Sequence, residues 1–275
     1  MSGYSPKQYW TAVADNFRSA DSAGLAPVLH FDAPVWFNRL IDRLQFRALL
    51  RALEIAGIPR GSRVLDVGCG TGRWLRRYES LGFRSTGVDA TPGMLQLAKE
   101  HGTVTPLIAG DACSLPFADQ TFDCVSDITV VQHIPESRQP QALREMVRVL
   151  KSGGRLILME LIRGKDAHIF PRSPLDWRQQ VASCGAKPVA WFGQEYLLFD
   201  RLFVRLAQAL TQANASRVGT DAASLKASPR HSTTARRIYW AARHLTAPLA
   251  AWTDPAAEKL CPARFATHGV FIFQK

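Results

Sequence analysis

The run Val64-Leu65-Asp66-Val67-Gly68-Cys69-Gly70-Thr71-Gly72 constrains this chain more than any other stretch. Its apolar first half reads as a buried strand, its glycines at alternate positions as a tight turn, and the spacing of Trp74, Leu75, Tyr78 and Leu81 behind it as a helix. Glycine lets the backbone take positive φ and come close to a ligand, and the start of a helix offers N–H groups with no intrahelical partner. A nucleotide-like ligand at the C-terminal edge of a parallel sheet is the expected consequence. The third glycine comes one residue too early for the dinucleotide pattern G-x-G-x-x-G, because position 73 is arginine, and no G-x-x-x-x-G-K-[ST] run occurs. NAD and P-loop chemistry are therefore disfavoured.

From residue 63 to 162 short apolar runs alternate with helical patterns, the rhythm of βαβ units. Strands are expected at 63–67, 85–89, 104–109, 122–127 and 155–161, with helices after Gly72, Pro92 and Pro135, and Ser152-Gly153-Gly154 as a turn. Upstream, 9–17 and 35–55 read as helices. Downstream, 174–184 reads as a helix, and 188–192 and 268–273 as strands. Some seventy residues separate those last two strands, far more than the ~4 to 6 of an ordinary connection, and within them 196–210 and 236–252 look helical around a polar loop at 211–234.

The formal charge of +11 is unevenly placed: 18 basic and 16 acidic residues precede position 161, and 16 basic and 7 acidic ones follow it. Residues 201–245 hold eight basic side chains (Arg201, Arg205, Arg217, Lys226, Arg230, Arg236, Arg237 and Arg243) and one acid, Asp221. Such a charge suits nucleic acid, an anionic membrane surface or an anionic substrate. No apolar run reaches the roughly 18 to 20 residues that span a bilayer, and no secretory leader pattern is visible at the start. A cytoplasmic location, with peripheral contact at the inner membrane surface in reserve, is the expectation. The five cysteines form no CxxC pair and no spacing suited to zinc, which reads as reduced thiols and no metal.

Five motifs in order, Val64 to Gly72, Gly87-Val-Asp-Ala-Thr-Pro-Gly-Met-Leu95, Gly110-Asp-Ala-Cys-Ser-Leu-Pro-Phe117, Phe122-Asp123 through His133-Ile134, and Leu150-Lys-Ser-Gly-Gly-Arg-Leu156, resemble those of the class I S-adenosylmethionine-dependent methyltransferases of the broad small-molecule type. The resemblance implies an α/β fold: a Rossmann-like, seven-stranded, mostly parallel sheet with helices on both faces. An N-terminal helical lid at 1–60, a cofactor-binding core at 61–194, a basic helical insertion at 195–265 and a final core strand at 266–275 complete it.

S-adenosyl-L-methionine, leaving as S-adenosyl-L-homocysteine, is the implied cofactor. By the same resemblance Gly68, Gly70 and Gly72 line its methionine part, with Asp66 holding the turn and bridging to the ammonium. Asp89, 21 residues after Gly68, takes both ribose hydroxyls, Asp111 and the Ala112 amide read the adenine, and Ala90 and Met94 pack on the base. Ile128 and Thr129 face the methyl group, and Tyr9 and Trp10 sit on a helix that closes over the cofactor.

Methyl transfer from a sulfonium is an in-line displacement that gains most from alignment in a dry site. A hydroxyl acceptor is helped by a base near neutrality, so His133 is the first catalytic candidate and Glu160 the second. Residues 127–130 read Asp-Ile-Thr-Val, without the Asn/Asp-Pro-Pro-aromatic run of enzymes that methylate base amines, and no cysteine follows a proline as pyrimidine carbon-5 methylation needs. Base methylation, and with it nucleic acid, is thereby disfavoured, while ribose methylation by an RNA methyltransferase stays open as a lesser alternative. A small-molecule acceptor, anionic or lipid-linked and held by the arginines of the insertion, is the leading expectation, with oligomeric state left open. A cofactor-binding but inactive regulator is the reading from another class.

Overall fold

The computed structural model describes residues 4–17, 25, 28–29, 33–164, 168–196, 240, 244, 249, 252–254 and 256–275. Two helices lead, α1 (Pro6–Phe17) and α2 (Val35–Ala56). The alternating part then runs β1 (Arg63–Val67), α3 (Arg73–Ser80), β2 (Arg84–Asp89), α4 (Pro92–Glu100), β3 (Leu107–Ala109), β4 (Phe122–Ile128), α5 (Gln139–Val149), β5 (Leu150–Leu161), α6 (Pro174–Ser183), β6 (Lys187–Gln194) and β7 (His268–Gln274). The helices and loop expected at 197–252, and all eight basic residues noted there, lie outside the described residues apart from isolated positions.

The seven strands form one sheet in the order β3-β2-β1-β4-β5-β7-β6. All neighbours are parallel except β7, which runs against both β5 and β6. The order reverses between β1 and β4, and in an open parallel sheet a ligand sits beyond the strand C-termini at such a reversal.

Alternation along each strand splits the core. Leu65, Val67, Val125, Leu156, Leu158, Phe271 and Phe273 point to the side covered by α5 and α6, through Leu143, Met146, Trp177 and Val181. Val64, Cys124, Ile157, Met159, Val270 and Ile272 point to α2 and α3, where Ala48, Leu49, Ala52, Trp74 and Tyr78 meet them. Because both faces are covered, β5 carries a continuous apolar run at 156–159 instead of polar alternation. Helix α6 starts at a capping box in which Ser173 Oγ accepts from the Asp176 N–H and the Asp176 carboxylate accepts from the Ser173 N–H.

Two expectations change. Strand β3 spans only 107–109, because Pro106 has no N–H to give the ladder. Ser152-Gly153-Gly154 is no turn between elements: β5 already starts at Leu150, with a register shift against β4 between Phe122 and Cys124, and Gly153 and Gly154 exchange backbone bonds with Lys275 at the chain end.

Candidate functional site

The glycine turn leaves β1 with Gly68 at φ +67 and Gly72 at φ +72, the left-handed region. A side chain at Gly68 would overlap Val130, and one at Gly72 would overlap Thr103, so both positions are also sterically closed to larger residues. Behind the turn Asp66 is 1 % exposed. Its Oδ1 accepts from Ser126 Oγ at 3.1 Å, while Oδ2 is enclosed with no hydrogen-bond partner. Burial pushes its carboxyl up to about 7, with Ser126 and Arg73 pulling the other way. An orphaned carboxylate oxygen beneath a glycine turn fits the ammonium of the implied cofactor, which would remove the cost of leaving it unpaired.

Asp89 closes β2. Its Oδ2 accepts from the Gly70 N–H at 2.9 Å and its Oδ1 from the Thr91 N–H at 2.8 Å, so the carboxylate braces the turn, and each oxygen keeps a further lone pair for a hydroxyl. Burial raises this carboxyl, opposed by the Thr91 and Gly70 amides. Asp111 sits further along the rim, half-exposed, with Oδ1 on the Cys113 N–H and Oδ2 on Arg138 Nη2 at 2.8 Å. Burial acts against ionisation there, but the Cys113 amide and Arg138 outweigh it and the carboxyl is lowered. Ala112 lies half-buried beside it and Ala90 is exposed. Met94 is elsewhere than expected: it is 2 % exposed and packs with Val13, Ala14 and Leu97 where α1 crosses α4, so it serves as core between two helices.

Arg73, the residue that breaks the dinucleotide pattern, has a structural use that the sequence did not disclose. Its Nη1 donates to Asp42 Oδ1 at 3.1 Å and its Nη2 to Gln45 Oε1 at 2.8 Å, joining the glycine turn to α2, and its guanidinium lies 4.2 Å from the Trp74 ring centroid. Arg77 adds a second ion pair to Asp42. Burial lowers Arg73 to about 10, which leaves it charged near neutrality. The polar Asp42 and Gln45 on the buried, mostly apolar face of α2 were the available signal.

Beyond β4 the chain turns sharply. Thr129 takes φ +62, unusual for a β-branched residue, with its N–H on the Met159 carbonyl, and a short 3₁₀ turn, Val131–His133, follows. Ile128 is 5 % exposed and belongs to the core under α2. Glu160, at the end of β5, is fully buried. Its Oε1 accepts from the Val130 and Val131 N–H groups at 2.9 Å and its Oε2 from the Gln132 N–H at 3.0 Å. An enclosed carboxylate that satisfies three amides cannot reach an acceptor, so the expectation of a base at Glu160 gives way to a positioning role. Asp127 is buried near it, with neither carboxylate oxygen in a well-formed hydrogen bond. Burial pushes Asp127 up to about 7, and burial together with the Asp127 charge pushes Glu160 well above its usual range.

The 3₁₀ turn presents His133 to α1. Leu161 N–H donates to Gln132 Oε1 at 2.8 Å, which leaves Gln132 Nε2 as the donor facing His133 Nε2 at 3.3 Å. His133 Nδ1 meets the His168 carbonyl at 3.1 Å and so carries the proton. Nε2 is thereby the unprotonated nitrogen, in a long contact. Trp10 stands edge-on to the His133 ring at 5.1 Å, His168 stacks on it at 5.4 Å, and Tyr9 stacks on His168 at 4.4 Å with its hydroxyl 3.2 Å from His168 Nε2. Tyr9, Trp10 and His133 are thus brought together, and His168 joins them unforeseen. Among the described residues no cluster of side chains could hold a metal ion.

Comparison with known proteins bears on this rim. Residues 65–158 match the family described as "Methyltransferase domain". The chain is 39% identical over 108 residues to a demethylmenaquinone methyltransferase of Renibacterium salmoninarum, covering 39% of this chain and 45% of that protein. It is 41% identical over 115 residues to a malonyl-[acyl-carrier protein] O-methyltransferase of Erwinia pyrifoliae, covering 42% and 43%. The matched stretch is therefore less than half the length of either relative. In fold, it resembles the phosphoethanolamine N-methyltransferase 2 of Haemonchus contortus in complex with S-adenosyl-L-methionine, at TM-score 0.57 and 17% identity over 100% of this chain and 60% of that one. It also resembles the [4+2]-cyclase SpnF, at 0.53 and 22% over 83% and 80%.

Proposed function

We propose that this chain, which carries a class I S-adenosylmethionine-dependent methyltransferase domain, methylates a hydroxyl of a small-molecule acceptor that is anionic or hydrophobic, such as a sugar, a lipid-linked intermediate or a natural-product precursor. The observation that carries this reading is the orphaned Asp66 oxygen beneath the glycine turn, with His133, its Nδ1 held on the His168 carbonyl, following β4 at the same edge of the sheet. S-adenosyl-L-methionine, when bound, supplies a methyl group on a sulfonium.

The chain's own residues supply the rest. Asp66 receives the ammonium, Asp89 the ribose hydroxyls through its spare lone pairs, and Asp111 and the Ala112 amide the adenine. Gly68, Gly70 and Gly72 let the backbone close on the methionine part, Ala90 packs on the base, and Ile128 and Thr129 face the methyl group. His133 Nε2 takes the hydroxyl proton once the acceptor displaces the Gln132 amide, a modest loss for a 3.3 Å contact. Tyr9 and Trp10 cover the site and exclude water. Residues 195–265 form the acceptor side, and their basic side chains bind an anionic acceptor or an anionic membrane surface.

Methyl-tritiated cofactor, added with the protein to extracts separated into lipid, sugar and RNA fractions, tests the reading. Label should enter a small-molecule or lipid fraction. Tight cofactor binding with no label in any fraction would instead make the chain a cofactor-binding regulator, and label in RNA would overturn the acceptor class.

A further inference from the structure

The same sheet edge carries a second polar group, three to four strands from the glycine turn, that the reaction outlined above does not use. Gln194 ends β6, His268 begins β7, and the two are register partners, with His268 also opposite Leu161 of β5. Gln194 is fully buried, and neither its Oε1 nor its Nε2 has a hydrogen-bond partner. Leaving a buried amide unpaired costs ~1 to 3 kcal/mol per group, so an unpaired side-chain amide at a ligand-binding edge points to a ligand that pairs it.

Beside it Glu195 is held at φ +63, one of three non-glycine residues in the left-handed region among those described; Thr129, at the end of β4, is another and lies on the same edge. Backbone strain of this kind gathers at functional sites. The Glu195 carboxylate faces the imidazole: Oε2 lies 3.1 Å from His268 Nδ1, off the direction of a well-formed hydrogen bond. With Nδ1 facing a carboxylate, it is the protonated nitrogen, and Nε2 is the one offered to a ligand. The Glu195 carbonyl accepts from the Thr267 N–H at 3.1 Å and the Tyr196 N–H donates to Asp254 Oδ2 at 3.3 Å, so the point where the chain leaves β6 and re-enters β7 is fixed.

The charges at this edge decide what can bind. Glu195 and Asp254 are both buried here, the first facing His268 Nδ1 and the second on the Tyr196 amide. A carboxylate or phosphate would meet like charge; a hydroxyl would not, since it can donate to His268 Nε2 and accept from Gln194 Nε2. Strands lie about 4.8 Å apart, so β7 stands about 10 Å from β4, where His133 follows. The group held here is therefore not the one methylated.

Resting on the methyltransferase reading, we propose that Gln194 and the Glu195–His268 pair form a specificity subsite that holds a second, uncharged hydroxyl of the acceptor, remote from the methylated oxygen.

The test uses the full chain, methyl-tritiated cofactor and a metabolite extract divided by anion exchange into a neutral and a retained fraction. Label should enter hydroxyl-bearing compounds of the fraction on which the enzyme acts. H268F and Q194L should each raise the KM for that labelled acceptor at least tenfold, with kcat within about threefold and cofactor affinity by calorimetry unchanged. H268Q, which keeps a hydrogen-bonding group, should recover part of the loss. An unchanged KM in both H268F and Q194L, or a labelled acceptor with a single hydroxyl, overturns the subsite while leaving methyl transfer intact. No label in any fraction with the unmodified protein overturns methyl transfer, and the subsite with it. Cofactor affinity retained in the variants excludes misfolding as the cause of a raised KM.

Discussion

Asp66 shows how a single burial sets a pH response. Its carboxyl is pushed up to about 7 because it is enclosed, above the ordinary value it regains in the unfolded chain. Between roughly pH 4 and 7 the folded protein holds a proton that the unfolded chain has lost, so stability falls as pH rises through that window and levels off above it. Asp127, also pushed up to about 7, adds to the same slope. Cofactor affinity should move the opposite way, since an ammonium pairs with the ionised carboxylate: calorimetry is expected to show tighter binding from pH 6 to 8. D66N should flatten that dependence, weaken binding at pH 8 by tenfold or more, and raise the apo melting temperature at pH 8. A persisting pH slope in D66N would remove the ammonium from Asp66. Asp89 differs in that its oxygens already brace Gly70 and Thr91. D89A should lower cofactor affinity at least tenfold and the melting temperature by a few degrees, for two lost bonds of about 1 kcal/mol each; near-normal affinity would show that the ribose contact is misassigned.

At the scale of elements, the alternation of short apolar runs and helical patterns was enough to locate every strand of the sheet, because burial on both faces leaves an apolar signature that survives in sequence. Side-chain destinations were legible only where a motif fixed them, as at Gly68 and Gly72. Glu160 illustrates the limit: its position at a strand end is visible, but whether its carboxylate turns outward or under the turn after β4 depends on Val130, Val131 and Gln132, about thirty residues earlier. Arg73 is similar, since its partners Asp42 and Gln45 are on a different helix. The positioning role of Glu160 has a measurable consequence. E160Q keeps the shape but turns an NH₂ group toward amides that need an acceptor, so it should lower the melting temperature by several degrees and kcat by tenfold or more. The two losses should appear without displacing the pH at which the rate falls on the acid side. A displaced acid limb would return Glu160 to proton transfer.

For the whole molecule, the charge is the property least explained by the described sheet. The first 160 residues carry a net +2 and the remainder +9, and within the described core the arginines Arg73, Arg138 and Arg148 are already spent on Asp42, Asp111, Asp119 and Glu145. No helix among the described residues is long and apolar enough to cross a membrane. A basic excess of this size attracts an anionic bilayer by about 1 kcal/mol per cation near the surface, and that attraction decays over roughly 8 Å at physiological salt. If the acceptor is lipid-linked, the protein should float with vesicles of mixed neutral and anionic phospholipid in 50 mM salt, detach in 500 mM salt, and ignore vesicles of phosphatidylcholine alone, by the screening expected. Replacing Arg236, Arg237 and Arg243 together with glutamine should reduce flotation severalfold without changing cofactor affinity. Flotation indifferent to both salt and lipid charge, or none at all, would assign the basic residues to a water-soluble anionic acceptor instead.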